Sequence, residues 1–150
     1  MEDRRCWPLI VGLFLLFVMG TPMADDQEEW VSIAKSDRTE LFVKPSTLKW
    51  EGQWISVRSK QNFVEPLPSA KKGKTFRSAR NEYRIACAHR KLAYSETEAY
   101  AELDLQGAIV QKSRSGEKNL TWMDAPEGTV FGELLEFACD NAPPAPAVAQ

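Results

Sequence analysis

The sequence predicts an α+β domain, and three observations support that prediction. Short segments rich in β-branched and aromatic residues recur between turn residues from position 30 to about 111. One amphipathic segment with helical periodicity follows, at about 129–139. Cys87 and Cys139 lie in the two different kinds of segment. Together these features predict a sheet with one C-terminal helix packed on one of its faces.

The N-terminal segment, residues 1–24, has the composition of a signal peptide. A basic pair at 4–5 precedes the apolar run 9–19, which is shorter than the ~20 residues that a bilayer-spanning helix needs. Small and polar residues then lead to Ala24, after which we expect cleavage, with cleavage after Gly20 as the alternative. An uncleaved N-terminal anchor is the competing interpretation.

The position of the first cysteine bears on membrane attachment. Cys6 precedes the apolar run, so it is not placed to become the lipid-bearing first residue of a bacterial lipoprotein. We therefore expect an exported chain that is located in the periplasm, or is secreted or displayed at the cell surface. No stable membrane anchor is expected after signal cleavage.

Length and charge limit the chain to one domain and disfavour nucleic acid as a partner. Removing 24 of 150 residues leaves 126, enough for one core. The formal net charge of -2 is unchanged, because residues 1–24 contain two acids and two bases. We expect a short acidic lead-in at 25–29, a domain at 30–140 and a disordered Ala- and Pro-rich tail at 141–150.

The β-like segments are too brief for helices and alternate between apolar and polar residues. In one predicted hairpin, Ile55 and Val57 occupy the face opposite to Ser56 and Arg58. The prolines, Gly73 and basic residues of 64–78 predict an exposed loop. The expected strand segments are 30–34, 40–44, 47–50, 53–60, 83–88, 92–94, 99–103 and 108–111.

The C-terminal helix has a recognisable start and one apolar stripe. Thr129 follows a Pro-Glu-Gly turn and can cap a helix that runs to about Cys139. Cys139 lies four residues after Leu135, so it belongs to the stripe. The residues that form the stripe are Val130, Phe131, Leu134, Leu135 and Ala138.

Two cysteines remain after signal cleavage, and a disulfide between them is the simplest expectation. Cys87 shares the inward face of a predicted strand with Tyr83 and Ile85, and Cys139 faces whatever the helix covers. In an oxidising compartment such a pair would pin the helix onto the sheet. Two free thiols or an intermolecular bridge are the alternatives.

Several landmarks between residues 30 and 139 resemble the surface-adhesin protein E family. They are Trp30-Val31-Ser32-Ile33, the segment 41–48, the strand ending at Cys87, Tyr94, Pro126-Glu127-Gly128-Thr129 and Cys139. The resemblance implies a curved antiparallel sheet of about six strands, with the C-terminal helix across its concave side and tied there by the disulfide. It also implies an adhesin that binds host matrix or serum glycoproteins, by analogy.

The family's namesake is lipid-anchored, whereas this chain has no cysteine at the predicted cleavage site. A periplasmic interaction or envelope-assembly factor of a Gram-negative bacterium is therefore the alternative function. A homodimer formed through an exposed sheet edge also stays open.

The sequence contains no residue pattern typical of catalysis or metal binding. His89 is the one histidine of the chain, and it has no second histidine or cysteine pair at a metal-ligand spacing. The acids Glu96, Glu98, Glu102 and Asp104 follow no calcium-loop spacing. We therefore expect a binding protein without catalytic residues, metal or cofactor.

Two groups of residues are candidates for ligand binding. Lys71, Lys72, Lys74 and Arg77 form a basic stretch in an acidic chain, and such a surface attracts sulfated glycans, acidic proteins or anionic lipids. Its alternative is a solvated loop that keeps the protein soluble. The second group, Trp50 and Trp54, flanks a hairpin turn and forms either an exposed contact or part of the core.

Overall fold

The computed structural model describes residues 29–147. The predicted signal peptide, its cleavage site and the last three residues of the chain lie outside the described residues. Seven strands and one α-helix are present in the described range, with short 3-10 turns between some of them. They are β1 (Val31–Lys35), β2 (Thr39–Glu51), β3 (Trp54–Pro68), β4 (Thr75–Ala86), β5 (Lys91–Tyr100), β6 (Ile109–Arg114), β7 (Trp122–Asp124) and α1 (Val130–Asn141).

The strands form one antiparallel sheet that is curled into a half-barrel. Strands β1 to β6 follow one another in space as they do in sequence, each paired with the one before it. Strand β5 is long enough to carry two neighbours on its other side: β6 pairs with residues 96–100 and β7 with residues 91–93. The predicted α+β class and the six-stranded antiparallel sheet are confirmed.

Helix α1 covers the inner face of the sheet at one end. The alternation predicted for β3 is observed, because Ile55 and Val57 face the helix and are at most 1% exposed. The aromatic ring of Phe131 meets the rings of Tyr83 and Tyr94 edge-on. The remaining buried members of this core include Leu41, Val43, Ile85, Leu92, Leu134, Leu135 and Ala138.

The helix begins where the sequence predicts and continues two residues past its predicted end. The Thr129 hydroxyl accepts a hydrogen bond from the backbone N–H of Gly132 at 3.0 Å, which confirms the predicted cap. At the other end α1 continues to Asn141, and the carbonyl of Pro143 accepts a hydrogen bond from the Trp50 indole. Pro143, which lies in the segment 141–150 that composition predicts to be a disordered tail, thus contacts the domain.

The disulfide between Cys87 and Cys139 is present, with 6.0 Å between the two Cα atoms. The alternation of the sequence predicts Cys87 on a strand, but it lies in the 3-10 turn Cys87–His89 that follows β4. The chain must reverse there to start β5, and Arg90 completes the reversal in the left-handed region. The bridge joins residues that are 52 positions apart in the sequence. Closing a loop of this length contributes about 4 kcal/mol to the free energy of unfolding if the effect is treated as a loss of chain entropy in the unfolded state.

The predicted loop at 64–78 is wrong in most of its length. Strand β3 continues to Pro68 and β4 begins at Thr75, so residues 69–74 alone lie between them. Pro66 and Pro68 are tolerated because β2 begins at Thr39, opposite Phe63, which leaves this end of β3 without a neighbour on that side. Strand β7 is absent from the strands that the sequence predicts.

Replacing Gly132 by alanine should lower the free energy of unfolding by about 2 kcal/mol. A Cβ at this helical position would lie 2.2 Å from the carbonyl oxygen of Pro126. The clash outweighs the gain of about 1 kcal/mol that alanine normally brings to a helix. Urea denaturation measures the change.

Gly116→Ala is the matched control, because a Cβ at this residue would have no heavy atom within 4 Å apart from its own chain neighbours. We expect that variant to stay within about 0.5 kcal/mol of the native protein. A Gly132→Ala protein as stable as the native one would show that the turn before α1 is not in tight contact with the helix.

Candidate ligand-binding surface

The outer face of the sheet is covered by charges that neutralise one another. The centre of one cluster is Glu98, whose side chain is only 5% exposed and which contacts Arg80, Lys112 and the Tyr100 hydroxyl. The hydrogen bond from Lys112 is the main reason why the pKa of Glu98 is lowered, with Tyr100 and Arg80 adding to it against the effect of burial. This carboxylate is therefore committed to holding three strands together.

A second cluster lies beside it on strands β2, β3 and β4. Arg84 contacts Glu51 at 2.6 Å and Glu82 at 2.9 Å, and Arg58 approaches Glu82 at 3.6 Å. Burial by itself would raise the pKa of Glu82, but Arg84 and Arg58 lower it overall. These cations are neutralised within the sheet and offer little charge to a ligand.

Lys60 occupies a third cluster near the start of the domain. Its ammonium nitrogen lies 4.2 Å from the centroid of the Phe42 ring and 2.8 Å from Asp104. Lys60 and Asn62 hydrogen-bond to the Asp104 carboxylate and lower its pKa. The cluster joins β3 to the turn Leu103–Leu105, so Lys60 is structural as well.

The lysines of the predicted basic stretch differ from these cations. Lys71, Lys72 and Lys74 lie in the turn between β3 and β4, are exposed, and have no carboxylate within 4 Å among residues 29–147. The turn itself is fixed, because the Ser69 N–H donates to the carbonyl of Lys74 at 2.9 Å. We call these three residues the lysine turn.

The lysine turn is also attached to the edge of the sheet. The Ala70 N–H donates to the side-chain oxygen of Gln111 on β6 at 2.9 Å. Gly73 adopts a positive φ of 74°, which a larger residue would adopt only at a cost. The three ammonium groups are thus displayed from an ordered backbone.

Arg77 does not belong to the same surface as the lysine turn. Its guanidinium donates to the carbonyl of Val64 at 3.0 Å, and the side chain is half-buried. This contact supplies a donor to the end of β3 that lacks a neighbouring strand. The predicted basic stretch is therefore divided between three exposed lysines and one arginine that bonds to the backbone.

The two candidate tryptophans lie on opposite faces of the sheet. Trp50 packs against the core beside α1 and donates its indole N–H to Pro143 at 2.8 Å. Trp54 points to the outer face, where its ring lies 4.8 Å from that of Trp122. The pair flanking the hairpin turn thus cannot act as one contact.

An open cavity of about 330 Å³ lies at the Trp54–Trp122 pair. Its lining also includes Ala86, His89 and Lys91. No pattern in the sequence indicates the part played by Trp122, because β7 is only three residues long and joins the sheet through a long-range pairing with β5.

A larger open groove of about 600 Å³ lies between the turn joining β1 to β2 and the far end of β3. Phe63, Val64 and Leu67 form its apolar floor, while Arg38 and Glu65 bring both signs of charge to its rim. This lining does not select one class of ligand.

Within residues 29–147 no group of three or more His, Cys, Asp or Glu side chains is placed to hold a metal ion. That part of the chain also contains no helix with the length and apolar character needed to cross a membrane.

Comparison with known proteins places this arrangement in a family. The profile of the family described as Surface-adhesin protein E matches residues 30–140, which includes the whole sheet and nearly all of α1. This chain belongs to the surface-adhesin protein E family. Membership indicates an adhesin-type binding protein, rather than an enzyme, that is exported or displayed at a surface and binds extracellular ligands.

Solved structures of Haemophilus influenzae protein E share the fold of this family member. One is 17% identical and has a TM-score of 0.53, with the match covering 81% of this chain and 91% of that chain. A second crystal form is also 17% identical, with a TM-score of 0.54 and coverages of 81% and 94%.

Protein E from non-typeable Haemophilus influenzae is 16% identical and has a TM-score of 0.51, with coverages of 80% and 81%. Identities this low show a shared fold only. No curated protein matches the chain.

Replacing Glu98 by glutamine should destabilise the protein at neutral pH by about 2 kcal/mol, because it removes charged hydrogen bonds from a buried site. The pKa of Glu98 is lower in the folded state than its ordinary value of 4.5. Its stabilising effect is thus complete above pH 4.5 and is lost as the pH falls from there through the folded-state pKa. Urea unfolding at a series of pH values measures this dependence.

We expect the native protein to lose more stability than the Glu98→Gln variant below pH 4.5. Glu96→Gln is the control, because within residues 29–147 the carboxylate of Glu96 forms an ion pair with the exposed Arg114 alone. If the free energy of unfolding of the native protein and of the Glu98→Gln variant changed with pH in the same way, Glu98 would not be the group that causes the pH dependence.

Proposed function

We propose that this protein is an exported, non-enzymatic adhesin that binds host matrix or serum glycoproteins, and that the lysine turn is its main contact with acidic groups on those ligands. Family membership supports the adhesin class. The location of the contact rests on the contrast between paired and unpaired cations over the described surface.

The decisive observation is that the three exposed lysines of one turn lack a carboxylate within 4 Å in the described part of the chain, while the arginines of the outer face are paired. A cation already bonded to a carboxylate must give up that bond before it binds another anion. The lysine turn has no such cost, and it projects from the end of a long hairpin.

Binding through exposed lysines should depend strongly on salt. The Debye length is about 8 Å at physiological ionic strength, so attraction to an acidic ligand extends beyond direct contact but weakens as salt is added. Sulfated glycans and acidic segments of glycoproteins have the required charge.

The triple variant Lys71→Ala, Lys72→Ala, Lys74→Ala should elute from heparin at lower salt than the native protein. It should also bind immobilised matrix and serum glycoproteins at least about tenfold more weakly, since each exposed lysine contributes about 1 kcal/mol near an anionic surface. Surface plasmon resonance at two salt concentrations measures the effect.

The matched control is the variant Lys35→Ala, Lys49→Ala, Arg114→Ala, which has the same net charge but removes cations that contact Glu40, Glu51 and Glu96. We expect this control to bind nearly as the native protein does. Equal salt elution for the native and lysine-turn proteins would eliminate the proposed contact.

A periplasmic interaction or envelope-assembly factor is the second candidate function. The observation in its favour is that Cys6, the cysteine of the N-terminal segment, precedes the apolar run and does not stand at the expected cleavage site, where a lipoprotein carries its lipid. Such a factor would bind a component of its own envelope in place of a host ligand.

Protease treatment of intact cells of a Gram-negative host should degrade the protein if it is an adhesin on the outer surface, and recovery from the medium would equally fit the adhesin. A periplasmic factor would be degraded only after the outer membrane is opened. Immunoblotting of protease-treated intact cells, of protease-treated cells with an opened outer membrane and of the medium distinguishes these outcomes, with a periplasmic marker protein as control. Protection in intact cells and absence from the medium would contradict the adhesin.

A further inference from the structure

We infer that the open cavity lined by Trp54 and Trp122, which we call the tryptophan cleft, binds one acidic sugar residue of a glycan. The inference rests on the proposed function for its biological setting, because the ligands of that function carry glycans. It concerns a different part of the molecule, since the tryptophan cleft and the lysine turn lie at opposite ends of β4.

Strand register brings the two indoles together across small residues. Trp122 pairs with Ala93 across β7 and β5, and its side chain is on the outer face because its neighbour Met123 packs on the core. Trp54 lies on the same face of β3, next to the core residue Ile55. Beneath the two indoles the strands carry alanines, which leaves room for the rings to meet above the sheet.

The indole rings meet at a tilt, with 4.8 Å between centroids and 52° between planes. Ala86 and Ala93 beneath them are 6% and 0% exposed, so the indoles already shield the sheet from water. Each indole is only half-buried, and both line the cavity. The electron-rich faces suit the weakly positive C–H groups of a sugar ring.

The indole N–H groups of the cleft have no acceptor among residues 29–147. Trp50 provides the contrast, because its indole donates to Pro143. Neither indole nitrogen of the cleft is among the buried polar atoms that lack a hydrogen bond, so both are reached by solvent. These two donors are therefore available to the hydroxyl groups of a ligand. A ligand that buries them would supply the hydrogen-bond partner that a buried tryptophan N–H usually has.

The charge of the lining favours an acid over a neutral sugar. Lys91 brings a positive charge to the lining, and none of the described residues that line the tryptophan cleft is a carboxylate. Asp124 approaches Lys91 from outside the lining at 3.6 Å, and both side chains are exposed, so this is a weak surface pair that a ligand carboxylate can replace. An apolar ligand would leave the ammonium and both indole donors unused.

The size of the tryptophan cleft limits the ligand to a small group. About 330 Å³ is at the lower end of the range for small-molecule sites. One hexuronic or sialic acid ring fits that volume, whereas a folded protein segment does not. A single exposed ring in an open cavity predicts a dissociation constant of about 1 mM.

Titration of the native protein with glucuronic acid and with N-acetylneuraminic acid tests the inference by NMR. The indole ¹H–¹⁵N signals of Trp54 and Trp122 should shift, and the signal of Trp50 should not. Glucose should bind about tenfold more weakly than glucuronic acid, and Lys91→Gln should remove that preference. Trp122→Ala should abolish binding of all three sugars.

Two controls separate this site from structural effects and from the proposed function. Trp50→Phe and the lysine-turn triple variant should bind the sugars as the native protein does. If Trp122→Ala fails to fold, the signal shifts of the native protein and the Lys91→Gln titration still decide. Absence of shifts at both cleft indoles, or equal affinity for glucuronic acid and glucose, would overturn the inference and leave a purely structural tryptophan pair.

The results for the two proposals are distinguishable. Indole shifts without any binding to matrix or serum glycoproteins would support the tryptophan cleft and refute the adhesin function. Glycoprotein binding that depends on the lysine turn, without shifts of the indole signals, would support the adhesin function and refute the tryptophan cleft.

Discussion

A single helix of 12 residues closes the apolar inner face of the sheet, and the domain depends on keeping it there. Such a helix is marginal by itself in water, so its stability comes from packing. Three features hold it: the cap at Thr129, the close approach of Gly132 to Pro126, and the Cys87–Cys139 bridge. The bridge joins the helix to the turn after β4, near the centre of the sheet, and so fixes which end of the half-barrel is covered.

Beyond the reach of the helix, the inner face changes from apolar to polar while it stays buried. Ser59, Gln61, Asn81 and Ser95 are at most 8% exposed. Gln61 donates to Thr39 at 3.0 Å, and the Ser95 hydroxyl donates to a backbone carbonyl of β4. Within residues 29–147 these polar side chains are thus shielded from water, and Gln61 and Ser95 form hydrogen bonds there, whereas the Ser59 hydroxyl has no hydrogen-bond partner in that range.

The outer face shows how the fold uses charge for stability. Cations that lie within the sheet meet carboxylates on neighbouring strands, and these cross-strand pairs stabilise the strand register. Lys71, Lys72 and Lys74 lie in a turn that contacts β6 through Gln111, and no acid of residues 29–147 lies within 4 Å of their ammonium groups. The tryptophan cleft forms at the other end of β4.

The sequence by itself determined the features that depend on local pattern: the alternation of Ile55 and Val57, the capped helix after Thr129, and the two cysteines that face one core. Periodicity and capping act over a few residues, whereas the prolines of 64–78 predict a loop wrongly because an unpaired strand end tolerates them. The tertiary structure alone decided that Trp54 meets Trp122, that Trp50 lies on the other face, and that Arg77 bonds to a carbonyl. Those outcomes follow from strand register and curvature, which couple residues far apart in the chain and leave no local signal.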